Sequence, residues 1–203
     1  IMGVLNPDTN LVNPNAEFGR TVSVSGNWAV VGTPLDNSVQ NQMGSAFVFQ
    51  RTAPTTFNRL PRFLPTNNDP GQGYGRSVSV SGEWMLIGSP GTDSFRGAGF
   101  LYRLNAGHWG LLQKLQPSDV LPQDLAAFRV AVGNGLAILG APVTDQSGTD
   151  SGSTGLEPAP FKTCRIQLGS GRSFVLFTSP STVLRKATDV TLLAGGLVPF
   201  RCA

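Results

Sequence analysis

A stretch of eighteen residues returns in closely similar form further along this chain, and that repetition constrains the fold more than any other feature. Glu17 to Pro34 reads EFGRTVSVSGNWAVVGTP. Gly73 to Pro90 reads GYGRSVSVSGEWMLIGSP. Ala126 to Pro142, AAFRVAVGNGLAILGAP, is a weaker third copy. A unit that recurs every fifty-odd residues marks an array in which no unit buries its apolar face alone.

Each copy has the pattern of a hairpin. Thr21 to Ser25 alternates polar and apolar residues at the period of a half-covered strand. Gly26-Asn27 follows as a tight turn, because glycine accepts positive φ. Gly82-Glu83 and Asn134-Gly135 stand at the same place in the other copies. Trp28 to Val31 is nearly all apolar and predicts a strand covered on both faces.

The repetition continues downstream. Gly44-Ser45-Ala46-Phe47-Val48-Phe49 aligns with Gly97-Ala98-Gly99-Phe100-Leu101-Tyr102 and predicts a third strand. Phe57 to Pro65 aligns with Trp109 to Pro117 and predicts a fourth, outer strand, blunted by proline and charge. Four strands in some fifty residues is the unit of a β-propeller blade. Val4-Leu5-Asn6-Pro7 matches the end of such a fourth strand. The chain then opens inside a blade, either as a fragment or as the strand that closes a ring.

The expected fold class is all-β: a β-propeller-like array of four-stranded antiparallel blades, either part of a propeller or a small one. With 25 glycines, 15 prolines and only 13% charged residues, the composition suits a turn-rich β protein and argues against a helical bundle. Residues 1–142 form the blade region. Residues 143–203 form a divergent Ser/Gly/Pro-rich loop and β-rich tail. Ser173 to Phe177 and Asp189 to Leu193 look like strands there, and the first echoes Ala46 to Phe49. The tail is open to three readings: a degenerate blade, an unrelated extension, or a segment that does not fold natively. Some β structure is expected.

Phe-Gly, then a hairpin, then Gly-x-Pro resembles the FG-GAP repeat of integrin α-subunit propellers and many secreted bacterial proteins. The residues that carry the resemblance are Phe18-Gly19 with Gly32-Thr33-Pro34, and Tyr74-Gly75 with Gly88-Ser89-Pro90. The third copy keeps Gly140-Ala141-Pro142 but has Ala126-Ala127 in place of Phe-Gly. Gly44 to Arg51 is also similar to the bacterial branch. Coverage runs from about residue 4 to residue 142. The resemblance implies an extracellular or cell-surface propeller used for adhesion or recognition, and no catalysis. Integrin-like members hold Ca²⁺ in an acidic loop inside the first hairpin. Here that loop is two residues with at most one carboxylate, too few oxygens for a hard cation. No metal site or other cofactor is carried over.

Few residues invite chemistry. His108, the only histidine, is expected at an exposed turn. Gly71-Gln72-Gly73-Tyr74-Gly75 lacks the following helix and Lys-Ser/Thr pair of a phosphate loop, and predicts a turn into a strand. Gly169-Ser170-Gly171 is expected to be a turn. Trp28 and Trp84 share one repeat position with Leu136, which points to core packing rather than a stacking platform. The two cysteines, Cys164 and Cys202, allow one disulfide or two thiols.

Carboxylates recur in the loops after Gly-x-Pro: Asp36, Asp93, and Asp145 with Asp150. Asp bonds its own backbone in turns, which accounts for most such cases. Loops on a rigid scaffold are also where binding residues gather. The candidate binding residues are therefore Asp36, Asn37, Asp93, Arg96 and Asp145, with no catalytic residue. Net charge is +3 without a Lys/Arg run, which argues against nucleic acid. No apolar stretch approaches the length of a membrane span. The expectation is a non-enzymatic module that binds protein or glycan through rim loops. The alternative is a purely structural propeller segment, within a larger parent chain or as a homo-oligomer. A propeller-based hydrolase or lyase ranks lower, because no paired catalytic carboxylates stand at convincing spacing.

Overall fold

The computed structural model describes residues 5–7, 13–67, 69–117, 120–133 and 136–143 in full, and the backbone of 162–167, 173–178 and 200–202. Among them the protein is all-β apart from one four-residue helical turn, α1 (Thr92–Phe95). The first sheet joins β1 (Thr21–Ser25), β2 (Trp28–Thr33), β3 (Ser45–Ala53) and β4 (Thr56–Arg59) in sequential antiparallel order. The second joins β5 (Ser77–Ser81), β6 (Trp84–Ser89), β7 (Ala98–Asn105) and β8 (His108–Leu115) in the same way. These are two propeller-like blades built from the two strong repeats.

The hairpin turns form where the glycines stand. Gly26 and Gly82 have φ of +57° and +56°, a region that costs other residues strain. Asn134-Gly135 lies outside the described residues. The fourth strand of the first blade is shorter than its sequence predicts. Pro61 has no N–H for the ladder, so β4 ends at Arg59. Pairing resumes as a bridge between Ala46 and Phe63. Leu5 packs against Val31, Phe47 and Phe49, but residues 5–7 are not in a strand, and Val4 lies outside the described residues.

A third sheet starts from β9 (Arg129–Gly133) and β10 (Leu136–Gly140), the hairpin of the weak repeat. It is completed by β11 (Lys162–Gln167), β12 (Ser173–Thr178) and β13 (Phe200–Cys202), in the order β13-β11-β12-β10-β9. The strand that echoes Ala46 to Phe49 does take the third place, beside β10. The strand before it in sequence takes the fourth place. Asp189 to Leu193 and Gly169-Ser170-Gly171 lie outside the described residues.

The sheets stand side by side, with β1 against β5 and β5 against β9. The main core lies between the first two blades. Trp28, Val30, Ala46 and Val48 of the first meet Val78, Val80, Met85, Ile87, Phe100 and Tyr102 of the second. Trp28 and Trp109 meet edge to face at 5.5 Å. Tyr74 is fully buried, edge-on to Phe100 at 5.2 Å, and its hydroxyl bonds that of Tyr102 at 2.7 Å. Phe18 repeats this role on the first blade, against Phe47 at 5.5 Å. Leu86, Leu101, Ala137 and Leu139 fill the second junction.

Two devices lock neighbouring blades. One is close backbone approach. A Cβ on Gly32 would overlap the carbonyl oxygen of Gly75, and one on Gly75 would overlap that of Ser45. The Thr21 hydroxyl donates to that Gly75 carbonyl at 3.0 Å. A Cβ on Gly88 would likewise overlap the carbonyl oxygen of Ala127. The other device is a row of serine hydroxyls. Val80 and Gly82 N–H donate to Ser23 and Ser25 Oγ, each at 3.0 Å. Val130 and Val132 N–H donate to Ser77 and Ser79 Oγ, again at 3.0 Å.

Candidate functional site

Two loops after the second strands rise on one rim, and each is fixed from below. In the first blade Asp36 is the anchor. It is only 2% exposed. Its Oδ1 accepts from the Ser38 N–H at 3.0 Å and the Ser38 hydroxyl at 2.6 Å. Its Oδ2 accepts from the Ser45 hydroxyl at 2.6 Å and from Arg62 Nη1 at 3.0 Å. Arg62 also donates to the Ser38 hydroxyl. A buried carboxylate is tolerable only with such partners. Asp36 thus holds the loop from below, with both carboxylate oxygens engaged by the protein's own donors. Asn37 to Gln42 are exposed above it. Asn37 N–H donates to Asn13 Oδ1 at 2.7 Å, and its side chain faces outward.

The second loop differs by one position. The residue that aligns with Asp36 is Thr92, buried and bonded to Gln72 Oε1 at 3.2 Å and Ser89 Oγ at 2.9 Å. Asp93 is exposed and pairs with Lys114 on β8, which stands where Arg62 stands in the first blade. The hydrogen bond from Lys114 holds the Asp93 carboxyl below its usual range. Asp93, Ser94 and Phe95 have φ of 51°, 58° and 63°. Three successive left-handed residues that are not glycine are costly and persist only where their surroundings fix them. Phe95 is 48% exposed, and Arg96 is exposed beside it.

Gly71 links the loops. Its N–H donates to Asn41 O at 2.8 Å, and it lies beside the Phe95 ring. The Phe95 and Arg96 carbonyls accept from Leu125 and Ala126 N–H at 2.9 and 2.8 Å, which ties the second loop to the third repeat. Asn37, Asp93 and Arg96 therefore share a rim. Asp145 and Asp150 lie outside the described residues. The glycine run at 71–75 is a turn: Gly71, Gly73 and Gly75 have positive φ, and Gln72 is buried with Nε2 bonded to Asn67 O and Asp69 O.

A groove of about 620 Å³ opens between β4 and the β7–β8 turn, lined by Gln50, Arg59, Leu60, Arg62, Phe63, His108 and Trp109. No sequence pattern marks it, because its two walls come from different repeats. His108 is exposed at the turn, as its position predicts. Trp109 Nε1 is buried and has no hydrogen-bond partner among the described residues. Among the described residues, His, Cys, Asp and Glu side chains do not gather in threes. Among the same residues, no helix is long and apolar enough to cross a membrane.

Residues 12–49 match the family model of the FG-GAP repeat. The chain carries an FG-GAP repeat. The matched segment holds Phe18-Gly19, the hairpin of β1 and β2, Gly32-Thr33-Pro34, and β3 as far as Phe49. The structure gives the FG-GAP glycines a physical reason. The glycine of one Gly-x-Pro and the glycine after the next repeat's aromatic residue lie too close for either to bear a side chain. No curated protein matches the chain.

Proposed function

We propose that this protein is a non-enzymatic recognition module of the extracellular space or cell surface. It binds a protein or glycan through the loops 37–42 and 93–96, with Asn37, Asp93 and Arg96 as contacts and Asp145 as a further one. An FG-GAP repeat supports a propeller-type recognition or adhesion role in general. The single observation that carries the finer reading is the strained, exposed turn of Asp93, Ser94 and Phe95. It sits beside an equally exposed loop on a rigid base. Backbone strain held in place on a rim is characteristic of binding segments.

The test is a glycan array and a cell-surface binding assay with the whole chain. Asn37→Ala, Asp93→Ala and Arg96→Ala are compared with the parent, and the melting temperature of each is measured. Loss of binding with an unchanged melt supports the reading. Undiminished binding by all three variants, or loss of binding only alongside loss of fold, sinks it.

A further inference from the structure

Among the described residues two arginines are partly covered, Arg62 and Arg76. Arg62 holds the Asp36 carboxylate at 3.0 Å. Arg76 holds none. Its guanidinium lies over the Phe128 ring, 4.6 Å from the centroid, and among the described residues its side chain has no ion-pair or hydrogen-bond partner. Arg129, exposed, lies over the same ring at 5.4 Å and is likewise unpaired among those residues. The repeat shows where the missing acid would stand. Arg20 and Arg76 share a repeat position, and the N–H of each donates to the carbonyl three residues back at 3.0 Å. In the first repeat that residue is Glu17, whose carboxylate pairs with Arg20 at 3.0 Å. In the second it is Gly73, and in the third the matching residue is Leu125. Burial first, then the charges of Arg20 and Arg129, hold the Arg76 guanidinium below its usual value. A partly desolvated cation among like charges, with no counter-charge of its own, is costly to keep. The three arginines stand at the starts of β1, β5 and β9, the end from which the loops 37–42 and 93–96 rise.

We propose that Arg76, Arg129 and the Phe128 ring they share form an anion subsite of the rim, with Arg20 at its edge, which takes the sulfate or carboxylate group of an acidic glycan. The subsite rests on the reading of this rim as a recognition surface, and it names the charge that the ligand carries. A guanidinium is a planar, weakly hydrated fork that matches an oxyanion with two N–H groups. A ring attracts the cation through its π face and not through an acceptor, so the N–H donors of Arg76 and Arg129 are not used up by Phe128. A glycan fits this surface better than an acidic peptide. Val80, Val130 and Val132 N–H, on the innermost strands, already donate to serine hydroxyls. An extended peptide finds no free run of backbone donors there to pair with. Recognition therefore falls to side chains, and the side chains present offer charged forks.

The test titrates the whole chain by calorimetry at ~0.15 M salt, where loose charge attraction is screened. The probes are a heparin oligosaccharide, an oligogalacturonate, its neutral methyl ester and an oligoglutamate. The first two separate sulfate from carboxylate as the anion, and at least one of them binds while the neutral ester does not. Arg76→Gln and Arg129→Gln each weaken that binding by about tenfold or more, as loss of a charged hydrogen bond does. Arg76→Lys, which keeps the charge without the fork, recovers part of it. Arg51→Gln combined with Arg103→Gln removes as much charge as the Arg76/Arg129 double variant, from exposed positions at the opposite end. That pair changes the affinity by about twofold at most. Arg129 is exposed, so its variant reads binding without a fold defect, and the melting temperature of each variant checks this. Equal weakening by the control pair overturns the subsite in favour of bulk charge. Failure of both acidic glycans to bind overturns it, as does tighter binding of the oligoglutamate. Asn37→Ala and Asp93→Ala separate the two readings of the rim. Loss of glycan binding in these loop variants but not in the arginine variants overturns the subsite alone. Loss in the arginine variants only supports the subsite and overturns the loop contacts.

Discussion

Replacing Gly75 with alanine tests the close approach of the blades at its tightest point. Two costs combine. Gly75 has φ +85°, where an L-residue is disfavoured by about 1–2 kcal/mol. The new Cβ would also overlap Ser45 O and lie 3.0 Å from Thr33 N, both backbone atoms of the first blade. Backbone cannot rotate away, so the blades must separate, at about 1–3 kcal/mol for overpacking. Separation also stretches the 3.0 Å bond from the Thr21 hydroxyl to Gly75 O, worth about 1 kcal/mol. The sum is about 3–6 kcal/mol. At about 2–4 °C per kcal/mol for a chain of this size, the melt falls by roughly 6–24 °C. Gly19→Ala is the control. It has the same kind of φ, +90°, but open space at the Cβ, so only the backbone strain of about 1–2 kcal/mol remains. Differential scanning calorimetry on the two variants reads the difference. Equal losses would refute the reasoning, because the junction would then contribute nothing beyond strain.

Asp36→Ala strands the Ser45 hydroxyl and Arg62 around a buried site. We expect a loss of about 3 kcal/mol by urea denaturation, and a loop 37–42 that is cleaved faster by protease. Tyr74 and Tyr102 give alkaline sensitivity. Burial, above all, raises both hydroxyl pKa values, Tyr74 well above 10.0. The folded state therefore holds protons that the unfolded chain loses. Their contribution is fully present below the unfolded value near 10 and disappears as pH rises through the folded values. Tyr74→Phe should flatten the fall in urea midpoint over that range. Lys114→Ala removes the main cause of the lowered Asp93 carboxyl, so its titration by carboxyl-carbon NMR should move up toward 3.8. Trp109→Phe removes a buried N–H without a partner among the described residues and should cost less than a loss of indole packing area alone would.

The blades were legible in the sequence because local chemistry and long-range packing agree there. Gly26 and Gly82 set the turns, and the alternation from Thr21 to Ser25 sets which side chains face the next blade. The fourth strand of the first blade is shorter than its repeat pattern implies, since one proline, Pro61, outweighs a favourable flanking pattern. The order of β11 and β12 could not be read at all. Exchanging two adjacent strands of a sheet leaves composition and periodicity untouched. In the rim, Asp36 looked like an exposed loop acid. Its partners Ser45 and Arg62 lie 9 and 26 residues away, and no local rule reports that they converge. Asp93 looked like its counterpart for the same reason. Only the burial of Thr92 shows that the anchor keeps its aligned position while the carboxylate stands one residue later. The contribution of Gly32 and Gly75 was visible as repetition but not as contact, because each is the other's neighbour across 43 residues of chain.

The serine caps have a consequence for solubility. A strand at the margin of a sheet offers unpaired N–H groups to any extended peptide, which is how β proteins recruit one another into aggregates. Here β5 and β9 are such margins, yet a hydroxyl from the blade behind occupies the outward N–H groups of Val80, Gly82, Val130 and Val132. A hydroxyl can satisfy a donor without adding a strand, so each blade ends where it should and adjacent sheets do not zip into one. Four small side chains thus insulate the innermost strands against foreign β pairing while still fastening them to their neighbours.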